Sequence, residues 1–161
     1  MIVDSYLSFL FEQEPPGVST ARKINPQLYS ILKGIKVDLP TFNSFKTIVM
    51  MFQTNVKRCD RLEDLQEKLC ISETKITLYR RELQILYRAD RLCAIQRDPE
   101  ACHQKVRNKS DQITEQIKKE QQRIVNIRSE MIKRRNEENE QRRKRVENVG
   151  KNIPQEVPVN R

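Results

Sequence analysis

Residues 62–93 read Leu-Glu-Asp-Leu-Gln-Glu-Lys-Leu-Cys-Ile-Ser-Glu-Thr-Lys-Ile-Thr-Leu-Tyr-Arg-Arg-Glu-Leu-Gln-Ile-Leu-Tyr-Arg-Ala-Asp-Arg-Leu-Cys. Leu62, Leu65, Leu69, Ser72, Ile76, Tyr79, Leu83, Leu86, Asp90 and Cys93 step through this stretch by threes and fours. That is the spacing of the two apolar positions of a heptad repeat. A second ladder follows: His103, Val106, Ser110, Ile113, Ile117, Glu120, Ile124, Ile127, Met131 and Arg134. Between them stands Asp98-Pro99-Glu100, with Asp98 as N-cap, Pro99 as first helical residue and Glu100 at the positive end of the dipole. Continuing the first ladder predicts seam positions at 97, 100, 104 and 107, so the phase slips by one residue across the proline. One helix stops there and another starts. Folded back at this point, Leu65 meets Met131, Leu69 meets Ile127, Tyr79 meets Ile117 and Leu83 meets Ile113. A kinked continuous helix and an antiparallel homodimer are the competing arrangements.

The expected fold is therefore all-α: a long antiparallel helical hairpin or coiled coil, preceded by short N-terminal helices. Residues 1–40 form short helices and loops, 41–97 a long helix A, 98–149 a long helix B and 150–161 a mobile tail. Asn25-Pro26 starts a helix carrying Leu28, Ile31, Leu32 and Ile35 on one face, limited by Gly34 and Pro40. An apolar segment at 1–13, capped by Asp4 or Ser5, ends at Pro15-Pro16-Gly17. Gly150 is placed to close helix B. The composition agrees: 33% charged residues, 6% aromatics, 3 Gly and no Trp suit long helices better than a compact mixed core.

The seam consists of Leu62, Leu65, Leu69, Ile76, Tyr79, Leu83, Leu86, Val106, Ile113, Ile117, Ile124, Ile127 and Met131. A second stripe on helix A, Ile71, Leu78, Ile85 and Leu92, also recurs every seven residues and lies about 100° from the first. Helix B cannot cover both. The stripe runs about 32 Å, longer than either N-terminal helix, so it reads as a face for partner helices, with cover by the N-terminal helices as the alternative. At the base of the hairpin Phe45 would face Lys151, Ile48 Asn148 and Phe52 Lys144, leaving the aromatics to local cover by residues 26–36 or to a partner.

The net charge is +9, with 14 basic against 10 acidic side chains in 98–149. Lys133, Arg134, Arg135, Arg142, Arg143, Lys144 and Arg145 form a candidate contact for an acidic surface, or a solvated face laced by Glu137, Glu138 and Glu140. No aromatic residues interleave them, which disfavours single-strand stacking and makes nucleic acid the weaker partner.

No catalytic residue, cofactor or metal site is expected. His103 is the sole histidine, without a visible orienting partner. Cys93, Cys102 and His103 can approach one another at the hairpin tip, but lack standard zinc spacing and a fourth ligand. With no C-x-x-C spacing, no signal-peptide pattern and no apolar run long enough to span a membrane, Cys59, Cys70, Cys93 and Cys102 read as free thiols in a reducing compartment.

In size and layout, with short helices up to Lys36 and then the ladders 62–93 and 103–134, the chain resembles small coiled-coil subunits of augmin-type spindle and centrosome assemblies. The resemblance implies helical partner subunits, a microtubule-linked role in cell division and a cytoplasmic, cytoskeletal location at spindle or centrosome. A nucleic-acid-associated basic adaptor, with a nuclear location, and a trafficking or autophagy adaptor use the same parts.

Overall fold

The computed structural model describes residues 25–154. The helix expected within 1–13, the loop that follows it and the end of the tail lie outside these residues. The described residues are all-helical: α1 spans Pro26–Ile35, α2 Leu39–Cys59, α3 Asp64–Cys93 and α4 Pro99–Lys151.

Helix α1 starts as its sequence requires. The Asn25 side chain accepts from the Leu28 amide at 3.0 Å, and Pro26 occupies the first turn. It ends not at Gly34 but two residues later, where Lys36 adopts left-handed backbone angles (φ 54°) and its amide reaches the last carbonyls. Pro40 does not terminate α1; it sits in the first turn of α2.

The long helix expected over 41–97 is two helices. It breaks at residues 60–63 without glycine or proline. Lys57 and Arg58 complement the negative end of α2, while Asp64 and Glu67 complement the positive end of α3. Glu63 turns to extended backbone ahead of α3. Leu62, expected in the seam, falls in this turn and is 42% exposed.

Because of the break, α2 folds back along α3. Cys59 bonds to Cys70 at one end, and Arg88 donates to the Ser44 hydroxyl at the other. Phe45 and Ile85 share the common core, and Phe52 and Leu78 line one small crevice between α2 and α3. The expected mismatch of Phe45, Ile48 and Phe52 against Lys151, Asn148 and Lys144 therefore does not arise. Phe45 and Val49 are fully buried in the common core.

The second fold-back is the one read from Asp98-Pro99. The Asp98 side chain accepts from the Ala101 amide at 3.1 Å, capping α4. α4 returns antiparallel to α3, with ion pairs between Lys75 and Glu120 at 3.8 Å and between Asp64 and Arg134 at 3.1 Å. Val106 and Ile113 are buried in the same core as Leu86, and Leu83 and Ile117 pack against it. Helix α1 fills the remaining groove near the tip. It runs parallel to α3, from Asn25 beside Glu82 to Ile35, whose carbonyl accepts from the Gln96 side chain at 2.9 Å. The end of α4 also differs from expectation: Gly150 continues the helix, and Asn152 caps it.

The free-thiol reading is corrected. Cys59–Cys70 and Cys93–Cys102 are disulfides, each bridging the two arms of one turn, with Cα atoms 5.6 and 5.4 Å apart. Separations of 11 and 9 residues look unrelated in the sequence. Antiparallel return places them side by side, and the inference of a reducing compartment from free thiols falls with it.

Candidate functional site

The stripe offered to partners is the first candidate, and the chain covers it itself. Leu78 is 7% and Ile85 2% exposed, both within the core shared with α1 and α2; Leu92 packs against that core and Ile71 is half-buried. Nothing in the helix A sequence forbids partner docking, but α2 reaches the stripe first because only a four-residue turn separates the two helices. Leu78 shares the wall of a small crevice with Ile48, Met51 and Phe52 of α2.

Seam positions Ile76, Leu86, Val106 and Ile113 are buried, and Leu65, Leu69, Tyr79, Leu83, Ile117, Ile124, Ile127 and Met131 are half-buried. Two acids interrupt the interior. Glu82 is 1% exposed and accepts from the Asn25 side-chain amide at 2.7 Å. Burial pushes its carboxyl up to about 7, against the opposing pull of the Asn25 hydrogen bond and the Lys109 charge. Lys109 donates to Gln27, and burial holds its ammonium below the ordinary lysine range. Glu120 is buried on α4; one of its oxygens meets Arg123 at 2.6 Å and Lys75 at 3.8 Å, while the other has no partner. Burial first, then the Glu120 and Glu82 charges, raise the Tyr79 phenol.

Glu82 makes stability depend on pH with a definite sign. Its folded value, about 7, lies above the ordinary 4.5, so the native state holds more protons between these values and stability falls as pH rises through that window. The full effect is about 3 kcal/mol. Glu82→Gln keeps an acceptor for Asn25 and removes the charge. Chemical denaturation at pH 5 and pH 8 should show the parent losing stability across this interval by about 2–3 kcal/mol more than the variant does. Parallel pH profiles would mean that Glu82 ionises as freely in the folded chain as in the unfolded one.

The basic stretch is the second candidate. α3 begins at Asp64, which pairs with Arg134; α4 continues to Lys151, so residues 135–151 project beyond the body for about 26 Å. Every residue of this projection is exposed. Arg143 and Lys144 share Glu140 at 3.6 Å each, and Arg134 is drawn to Asp64 and Glu130. Lys133, Arg135, Arg142 and Arg145 have no ion pair among the described residues. A row of exposed side chains runs along α4 onto this arm: Val125, Ile132 and Val146 recur at multiples of seven, with Asn139 completing the row and Val149 beside it on the arm. Val146 is 71% and Val149 69% exposed. The heptad period was the available signal; the long charged stretch between Ile132 and Val146 masks it.

The third candidate is the hairpin tip, where the sequence indicated Cys93, Cys102 and His103 but no fourth group. The structure adds Asp90, one turn before Cys93, hydrogen-bonded to His103 Nδ1 at 2.6 Å.

The chain matches no protein-family model, no curated protein and no solved structure. Among the described residues no helix is long and apolar enough to cross a membrane.

Proposed function

We propose that this chain is a non-enzymatic coiled-coil subunit that joins a larger helical assembly through the projecting arm of α4. The observation that carries the reading is the exposed stretch 135–151, a helix with basic flanks and unpaired Val146 and Val149, extending from a body whose own core is closed. An isolated charged helix with large apolar side chains in water is costly to maintain, and burial of such side chains recovers about 1.5–3 kcal/mol each. Seven basic against three acidic residues in 133–145 favour an acidic helical partner or an acidic filament surface. An augmin-type spindle complex, with the basic arm near the microtubule, is the assembly this layout suits. The partner-binding role moves from Ile71, Leu78, Ile85 and Leu92 to the arm, because Leu78, Ile85 and Leu92 pack in or against the core shared with α1 and α2, while Ile71 is half-buried in a groove beside Arg123 and Ile127 of α4.

Truncation after Arg134 tests this reading. The arm contributes nothing to the described core, so the melting temperature should change by less than about 2 °C, within the effect of a surface change. Recovery of stoichiometric partners from cells and co-sedimentation with microtubules should both be lost. A truncated chain that retains its partners would overturn the reading; one that loses only DNA or RNA binding, with a steep salt dependence, would favour the nucleic-acid adaptor.

A further inference from the structure

Four side chains with metal-ligand chemistry converge at the turn between α3 and α4. Asp90 and Cys93 lie one turn apart on α3; Cys102 and His103 lie in the first turns of α4. The ligand atoms of Asp90, Cys93 and His103 all fall within 4.8 Å of one another, and the Cys102 sulfur is bonded to that of Cys93. Cys93 is fully buried, whereas Asp90 and His103 are half-exposed, so the cluster has a closed sulfur side and an open imidazole–carboxylate side. We propose that Asp90, Cys93, Cys102 and His103 form a zinc site in the reduced protein, and that the Cys93–Cys102 disulfide is its oxidised counterpart.

The chemistry follows from ligand type. Two thiolates and an imidazole select a borderline-soft cation, and zinc accepts a carboxylate as fourth tetrahedral ligand. Tetrahedral zinc with bonds of about 2.0–2.3 Å holds its ligand atoms roughly 3.3–3.8 Å apart. Asp90, Cys93 and His103 need only small displacements, the His103–Asp90 pair opening by less than an ångström from 2.6 Å; the Cys102 sulfur, placed by its bond to Cys93 and outside that mutual 4.8 Å set, moves farthest when the disulfide opens. The reductant is a dithiol. It delivers two electrons and two protons to the Cys93–Cys102 bond and becomes a disulfide itself. Zinc then displaces the two thiol protons to solvent, while His103 binds as neutral imidazole and Asp90 as carboxylate. Either state ties the start of α4 to the end of α3, so the tip remains closed under oxidising and reducing conditions by different bonds. Among the described residues the Cys59–Cys70 pair belongs to no histidine–carboxylate set of this kind; Cys59 Sγ lies 3.7 Å from the Thr74 hydroxyl.

The test uses the full chain carrying Cys59→Ser and Cys70→Ser, reduced with a dithiol that is then removed anaerobically. Titration with cobalt(II) should give tetrahedral ligand-field bands and a thiolate charge-transfer band saturating at one equivalent, and zinc should displace the cobalt. The oxidised protein should give none. His103→Gln and Asp90→Asn should each weaken zinc binding at least tenfold, as measured by chelator competition, and Cys93→Ser should abolish it. Absence of tetrahedral bands in the reduced protein overturns the site. Affinity unchanged in both His103→Gln and Asp90→Asn overturns it as well, since the thiols alone would then be binding. If circular dichroism shows that the Cys59→Ser, Cys70→Ser background is unfolded, the comparison is made between the reduced unmodified chain and its Cys102→Ser variant. Loss of one cobalt equivalent between these two supports the proposal, and equal stoichiometry overturns it.

Discussion

Ile85→Glu is expected to destabilise the fold by about 4–5 kcal/mol or more, enough to leave a protein of ordinary stability largely unfolded. Ile85 is 2% exposed, in the core that α3 shares with Phe45 and Val49 of α2. The substitution removes aliphatic contacts worth about 2–4 kcal/mol and installs a carboxylate that must either lose its hydration or push α2 away. Gln84→Glu adds the same charge one residue away, on the exposed face of α3, and should change stability by less than about 0.5 kcal/mol. Urea denaturation followed by circular dichroism distinguishes the two. The outcome also decides what the stripe is for. A partner face would tolerate Ile85→Glu in the isolated chain and fail only in assembly. A core position fails in the isolated chain, and that is the result expected from its burial. Normal folding of Ile85→Glu would mean that α2 does not stay on α3 in solution.

The second large effect comes from the two disulfides. Reducing both, with a chelator present to withhold metal, should lower unfolding stability by about 2–3 kcal/mol per bridge, from the loop-closure entropy returned to the unfolded chain over separations of 11 and 9 residues. The Cys59–Cys70 bridge carries the larger structural consequence. It fixes the turn that holds α2 over Leu78 and Ile85, so its loss exposes apolar surface on α3 as well as loosening α2. Hydrogen exchange should rise first in α2, while the α3–α4 seam retains protection through Leu86, Val106 and Ile113. An unchanged urea midpoint after reduction would show that the bridges do not stabilise the native chain and would restore the free-thiol reading.

Much of the architecture was legible because heptad spacing and capping are local signals. The two ladders from Leu65 onward, the start of α1 at Asn25-Pro26 and the cap at Asp98 all appear where the sequence puts them; Leu62 falls in the turn instead. The turn at 60–63 was missed for a specific reason: it has no proline or glycine. Yet the criterion that exposed the second turn applied there too. Phe42, Phe45, Val49, Phe52, Val56 and Cys59 form a ladder whose continuation falls at 63 and 66, while the next ladder starts at Leu62 and Leu65. The same one-residue slip separates them, and basic Lys57-Arg58 followed by acidic Glu63-Asp64 marks the paired helix ends. Of the candidate sites, the basic arm was readable from charge, and its apolar row from the seven-residue period. Asp90 was hidden, because it stood as a polar rung of the seam and met His103 only across the turn.

The sequence by itself determined that this chain is helical, where α4 begins, and which face of α3 meets α4, since periodicity and caps act over neighbouring residues. Tertiary structure alone decided that α2 doubles back, that Leu78, Ile85 and Leu92 are turned toward the core while Ile71 stays half-buried, and which cysteines pair. Those outcomes depend on a competition between surfaces distant in sequence. α2, held close by a short turn, buries the second stripe at less entropic cost than a separate partner would.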